Sequence, residues 1–277
     1  MPINSVITNT SAMVALQSLN KTADQLSAAQ KRISTGYRVA DAKDDGAAFA
    51  VAERIRGDMA AVSSANQQLG GMQGLLSVTS AALQNVSSTL TKLKEVVIKL
   101  ADGNISTDQR SQYQAQVTQL TKNIKSFIDD ASYNGVNVLD VNTAASVNVV
   151  ATGDGKYYSF SSFSALAQVY DVVSSANTYT SSSAVAALTA TGAVTKAIDR
   201  TLTQLNNFGS YSNYIDAQIN YNKSILDAQT GGLGALIDAD MAKESAQLQA
   251  LQIRQQLGTQ ALGIANQAPQ ALLSLFR

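Results

Sequence analysis

Between Val62 and Leu100, apolar side chains recur at alternating intervals of three and four residues. The series is Val62, Ala65, Leu69, Met72, Leu76, Thr79, Leu83, Val86, Leu90, Leu93, Val97 and Leu100, with Thr79 its one polar member. A seam sustained over this length marks a helix packed lengthwise against other helices. If it opens near Asp44, the helix is about 80 Å long at roughly 1.5 Å per residue, well beyond the ~11–12 residues of an ordinary globular helix. Such an element needs partners along its whole length.

The chain supplies candidates on both sides. Asp102-Gly103-Asn104 predicts a stop at a residue able to take positive φ, and Ser106 offers an N-cap for the next helix. Tyr113, Val117, Leu120, Ile124, Phe127 and Ala131 keep the same spacing, so this second helix can lie antiparallel to the first. Past Asn134-Gly135 the period changes. That dipeptide and Gly153-Asp154-Gly155 are turn signals, and Val147 to Val150 and Tyr157 to Phe160 favour β structure, which predicts one or two small hairpins. Thr178 to Ser183 reads as a loosely specified polar stretch. A third long helix is expected from Ala184 to Gln229, with Ile198, Leu205, Ile219, Leu226 and Leu233 in heptad phase and Phe208 and Ile215 on the same seam. Thr201, Ser212 and Asn222 interrupt that seam, which suggests hydrogen bonding and register choice. Gly231-Gly232 is expected to break the helix.

Composition excludes much chemistry. The chain has neither Cys nor His, which removes thiolate and imidazole nucleophiles, bases and metal ligands together. No enzyme activity, metal or cofactor is expected. Lys plus Arg and Asp plus Glu both number 20, so no concentrated positive field marks a nucleic-acid partner. No apolar stretch is long enough to span a bilayer, and the first residues carry no Sec-type leader, which alone suggests a cytoplasmic protein.

The two extremities resemble each other in pattern. Ala12, Leu16, Leu19, Ala23, Leu26, Gln30, Ile33 and Tyr37 alternate four and three up to the stop at Thr35-Gly36. Ile253, Leu257, Ala261, Ile264, Ala268, Leu272 and Leu275 step in an eleven-residue pattern close to that of a straight helix, and Pro269 is expected to kink it. Each aliphatic side chain left in water forgoes roughly 1.5–3 kcal/mol of burial. Pairing the terminal helices with each other covers part of that surface, and other copies of the chain are needed for the rest.

Gln30 to Arg56, QKRISTGYRVADAKDDGAAFAVAERIR, resembles the N-terminal signature of the bacterial flagellins. Ser132 to Leu139 resembles that family's entry to its hairpin, and Ile253 to Arg277 resembles its C-terminus almost to the last residue. The resemblance implies a mainly α fold: a long antiparallel coiled-coil-like helical rod built by the N- and C-terminal halves, with a small β-hairpin region in the middle. It implies terminal helices at 1–40 and 236–277 forming an inner-tube polymerisation domain, a helical rod at 41–141 and 184–235, and a short surface-exposed region at 142–183. It further implies an extracellular filament subunit of swimming motility, exported unfolded through the flagellar type III system. The partners it implies are identical subunits, an export chaperone and export gate, and filament-cap and hook-junction proteins. A hook-associated junction protein is the neighbouring alternative, and a coiled-coil scaffold or signalling protein the more distant one.

Several residues follow as candidates. Leu16, Leu19, Leu26, Ile33, Ile253, Leu257, Ile264, Leu272 and Leu275 are expected at the polymerisation interface, with Arg32, Arg38, Asp44, Asp45 and Arg54 available for charges between subunits. Lys92, Lys94 and Glu95 lie where the family carries a stretch recognised by an innate-immune receptor, with lysines where arginines are usual. A solvated helix face is the alternative there. Ser161, Ser162, Ser164, Thr178 and Thr180 offer hydroxyls for O-linked sugars, against the simpler reading of a polar loop.

Overall fold

The computed structural model describes residues 8–140, 146–175 and 178–274, with side chains up to residue 267. These residues are mainly helical, with one two-stranded antiparallel sheet. They divide into two compact units, Met1–Gly57 with Ala228–Arg277, and Asp58–Asp227. Helices α2 (Gly46–Ala101) and α6 (Ala193–Ile237) contribute residues to both.

In the Asp58–Asp227 unit, every member of the Val62 to Leu100 series on α2 is buried, Thr79 included. Thr79 meets the cost of its hydroxyl by donating to Leu75 O one turn back, at 2.8 Å. Helix α3 (Thr107–Asp129) adds Val117, Thr121, Ile124 and Ile128 to the same core. Ser106 caps it through a complete capping box with Gln109. The stop before it is not the glycine expected from the sequence, because Gly103 does not take positive φ. Asp102 Oδ1 instead accepts from Asn104 N–H at 2.9 Å, and Arg110 donates to Leu100 O and Asp102 O, satisfying carbonyls at the end of α2.

Helix α6 runs antiparallel to α2, since Gln73 donates to Asp216 and Asn222 to Asn66. Its buried line is Val194, Thr201, Phe208, Ile215 and Asn222, a strict heptad spacing. Two of the polar interruptions read from the sequence, Thr201 and Asn222, make side-chain hydrogen bonds. Thr201 turns back to Ala197 O at 2.7 Å, while Asn222 Nδ2 donates to Asn66 Oδ1 and to Ala151 O, both at 2.9 Å.

Among the described residues one hairpin forms, from β1 (Ser146–Val150) and β2 (Tyr157–Ser161), with Val147 opposite Phe160 and Val149 opposite Tyr158. Val149 and Phe160 are buried, and the pleat sends Tyr158 to the same side. There Tyr158 stacks on Tyr214 of α6 with ring centroids 4.0 Å apart and planes at 22°. Tyr211 meets Tyr158 edge-on at 6.3 Å and 69°, and touches Phe160 and Phe208. At the hairpin turn, a Cβ on Gly153 would stand 2.8 Å from Val62 Cγ2, so the loop lies against α2 only because that residue is glycine. Asn134-Gly135 makes a tight turn without a second hairpin. Both residues have positive φ, and Tyr133 and Val136 exchange two backbone hydrogen bonds across it.

Residues 162–191 depart most from the sequence expectation. A π-helical turn, Leu166–Tyr170, passes directly into α4 (Asp171–Ser174), and Arg200 donates to the Gln168 carbonyl at 3.0 Å. The Thr178 to Ser183 stretch is not loose. Thr180 caps α5 (Ser181–Leu188) in a reciprocal box with Ser183, and Tyr179 is fully buried. Burial pushes the Tyr179 hydroxyl up to about 12. The predicted Ala184 to Gln229 helix is therefore two helices. Gly192 separates them, in a turn so close that a Cβ there would stand 2.3 Å from Ala187 O.

At its other end α6 passes through Gly231-Gly232 and stops only at Ile237, so the expected break does not occur. Two helical glycines cost about 1 kcal/mol each. In the terminal unit this is opposed by Leu233, Leu236 and Ile237 packing with Val39, Phe49 and Ala52.

Candidate assembly interface

Helices α1 (Thr10–Thr35) and α7 (Met241–Ser274) form an antiparallel pair in the terminal unit. Asn9 Nδ2 donates to Ala265 O at 2.8 Å, Leu19 lies against Gly258, and Arg32 reaches Glu244 at 3.2 Å. The connection past α1 extends the pairing. Gly36 takes φ 76°, closing the helix as the sequence indicated. Arg38 N–H donates to Ile237 O at 2.7 Å, and Ala239 N–H to Gly36 O at 2.9 Å.

On α1 a line of less exposed residues runs Ala12, Ala15, Leu19, Thr22, Leu26, Ala29 and Ile33, an unbroken three-four alternation, with Lys31 and Arg32 partly covered beside its end. This corrects the phase read from the sequence. Leu19, Leu26 and Ile33 belong to the covered seam, whereas Leu16, Ala23 and Gln30 are exposed. The facing seam of α7 is Glu244, Leu248, Leu251, Gln255, Gly258, Leu262 and Ala265, again alternating four and three. The eleven-residue series from Ile253 lies elsewhere on the helix. Ile253, Leu257 and Ile264 are 57%, 58% and 70% exposed. Helix α7 thus carries two apolar faces, one covered by α1 and one bare. The bare surface on α1 is Met13, Val14 and Leu16, at 63%, 66% and 48%. The Leu272 side chain and Leu275 lie outside the described residues.

A carboxylate sits inside the covered seam. Glu244 is 7% exposed; one oxygen accepts from Arg32, and the other has no hydrogen-bond partner among the described residues. A pair with Glu244 buried and Arg32 37% exposed contributes little net stability, but slipping the seam by a turn would separate the two, so it favours one register.

The candidate charges are mostly engaged within the chain. Asp44 binds Lys31 at 2.8 Å, alongside Asp41 at 2.7 Å. The hydrogen bond from Lys31 is the chief reason both carboxylates titrate below the usual aspartate range, and those two hydrogen bonds, Asp41 first, raise Lys31. Asp45 Oδ1 accepts from Ala47 and Ala48 N–H, capping α2. Arg38 donates to Leu236 O, and Arg32 is held by Glu244. Arg54 is exposed and makes no ion pair among the described residues. On α2, Lys92 and Glu95 are exposed and Lys94 is half-buried. Among the sugar candidates, Ser161, Thr178 and Thr180 are exposed and Ser162 and Ser164 half-buried, with Thr180 already acting as a cap.

A chain with paired terminal helices, a bare aliphatic face on each, and long helices in heptad register belongs to the class of self-associating helical structural proteins. The comparisons make this particular. The bacterial flagellin N-terminal helical region matches residues 6–144, and the C-terminal helical region matches residues 191–276. Flagellin FljO of Caulobacter vibrioides is 35% identical over the full length of both chains, and a flagellin of Brucella melitensis is 33% identical over 99% of each. The Bacillus cereus flagellin crystal structure shares the fold at a TM-score of 0.50 and 16% identity, over 56% of this chain and 88% of that one. The chain belongs to the bacterial flagellin family. It is a structural subunit of an extracellular flagellar filament and not an enzyme.

Proposed function

We propose that this subunit is joined to its neighbours chiefly through the bare stripe of α7, Ile253, Leu257 and Ile264, together with Leu16 on α1. The observation that supports this is the second apolar face of α7, which the pairing with α1 leaves in water. Leu19, Leu26 and Ile33 act one step back, holding α1 on α7 so that the stripe is presented. Leu272 and Leu275 continue the same series in sequence. Of the five candidate charges, Arg54 is the one free to reach another subunit, and Arg32, Arg38, Asp44 and Asp45 set the local fold.

In this proposal residues 1–40 and 236–277 build the inner tube, 41–141 and 184–235 the outer rod, and 142–183 the outward surface. Ser161 and Thr178 are the hydroxyls best placed for O-linked sugars. Lys92, Lys94 and Glu95 act as a solvated face with weak receptor recognition. The remaining partners are an export chaperone and gate, and cap and junction proteins.

Seeded polymerisation of Leu257→Asp and of a chain truncated after Gln256, viewed by electron microscopy, tests the assembly surface. Both should give no tubes, while L257D keeps wild-type helicity. Normal tubes from L257D would remove the stripe from the interface.

A further inference from the structure

We propose that Tyr158 and Tyr214 form an oxidative cross-linking site, at which a one-electron oxidant joins the hairpin covalently to α6 as an intramolecular dityrosine. The chain has ten tyrosines. Among the described residues one pair of them is stacked: Tyr158 on β2 and Tyr214 on α6, with centroids 4.0 Å apart and planes at 22°. At that separation the ring carbons of the two phenols are in van der Waals contact.

Two further features favour coupling here. Tyr214 is 41% exposed, so an oxidant reaches it from solvent and its ring has room to slide edge to edge with its partner as the new bond forms. Tyr158 is held in place by the ladder of β2 on one side and the edge of Tyr211 on the other. The neighbouring rings do not compete. Tyr211 stands 6.3 Å from Tyr158 at 69°, and Phe160 and Phe208 carry no hydroxyl to oxidise. Tyr157, although 69% exposed, is adjacent in the strand and so projects to the opposite face of the hairpin.

The chemistry balances with an external oxidant of the peroxidase or photo-generated metal class. Each phenol gives one electron to the oxidant and its hydroxyl proton to water. The two phenoxyl radicals join through a carbon–carbon bond between positions ortho to the oxygens. Each bonded carbon then returns its hydrogen to its own oxygen, restoring both phenols. Two electrons and two protons leave, and two equivalents of oxidant are reduced. The product ties residue 158 to residue 214, which prevents the hairpin from opening independently of α6 and restricts the unfolded chain.

The test uses dilute full-length chain, unassembled, illuminated with tris(bipyridyl)ruthenium(II) and persulfate. The expected result is dityrosine fluorescence in a species that remains monomeric, with an intact mass lower by two hydrogens and fragment ions linking Tyr158 to Tyr214. Tyr158→Phe and Tyr214→Phe, which keep the stacked rings, should each lose that link, while Tyr157→Phe and Tyr211→Phe should retain it. A link that persists in Y158F or Y214F, or dityrosine found only between chains, would overturn the proposal. Because the readout is on the unassembled subunit, it is independent of whether the α7 stripe drives polymerisation.

Discussion

Leu19 rests on Gly258, close enough that a methyl group at that glycine would stand 3.2 Å from Leu19 Cδ1. Near the middle of the α1–α7 seam, the absence of a side chain on one helix thus makes the seat for a leucine on the other.

The seat predicts an ordered response to size. Gly258→Ala sets a helix-propensity gain of about 0.5–1 kcal/mol against a contact the Leu19 side chain can relieve by a small shift, so it should stay near wild type. Gly258→Val adds branching that the seam cannot absorb and should cost ~1–3 kcal/mol. Thermal unfolding of filaments by circular dichroism separates the two. A Val variant that melts with the wild type would show that the helices are not held at this spacing.

Asn222 is the corresponding polar lock between α2 and α6, bonded to Asn66 and to Ala151 at the hairpin. Asn222→Ala leaves the Asn66 oxygen and the Ala151 carbonyl without that donor, at an expected cost of about 1–3 kcal/mol. The midpoint of a urea titration should fall, with the slope unchanged.

Tyr179 predicts an alkaline transition. Its hydroxyl is buried without a hydrogen-bond partner among the described residues and is pushed up from 10.0 to about 12. Stability from keeping the phenol neutral is complete below pH 10 and diminishes as pH rises towards 12, because the unfolded chain ionises first. Tyr179→Phe should remove that loss and be neutral or stabilising at pH 7, read from melting temperatures at the two ends of the window.

Lys31 makes the opposite kind of prediction. Asp41 and Asp44 titrate below 3.8 because of it, so their contribution is present above that value and disappears as pH falls through their depressed folded values. The contribution of Lys31 itself is lost only as pH rises through a value above 10.5. In Lys31→Gln, carboxyl chemical shifts should show both aspartates titrating closer to 3.8. Salt should shrink the difference in the wild type, since all three groups are exposed to solvent.

The α2 seam is legible because nearly every member of the Val62 to Leu100 series is a large apolar residue and all of them are buried. The terminal helices were harder to phase for the opposite reason. Their covered seams use small or polar residues, Ala15, Thr22, Ala29, Gln255 and Gly258, while Leu16, Ile253 and Leu257 stand outside. Hydropathy therefore pointed at the exposed stripe and missed the covered one. The same rule misled at Gly231-Gly232, where packing of Leu233 and Leu236 outweighs local propensity. At Thr180 the sequence hides the cap because its partner is Ser183, where a Glu or Gln is the usual signal. The engagement of Arg32 by Glu244 spans most of the chain, and no local pattern announces it.

The two faces of α7 have separable genetic fates. A polar substitution at Ile253 or Ile264 touches nothing that the isolated molecule needs, so it should yield chains that fold, accumulate and fail only when they meet one another. A polar change at Leu251, or a bulky one at Gly258, strikes the single molecule first. Loss of swimming without loss of protein should therefore map to one side of a single helix, and loss of both to the other.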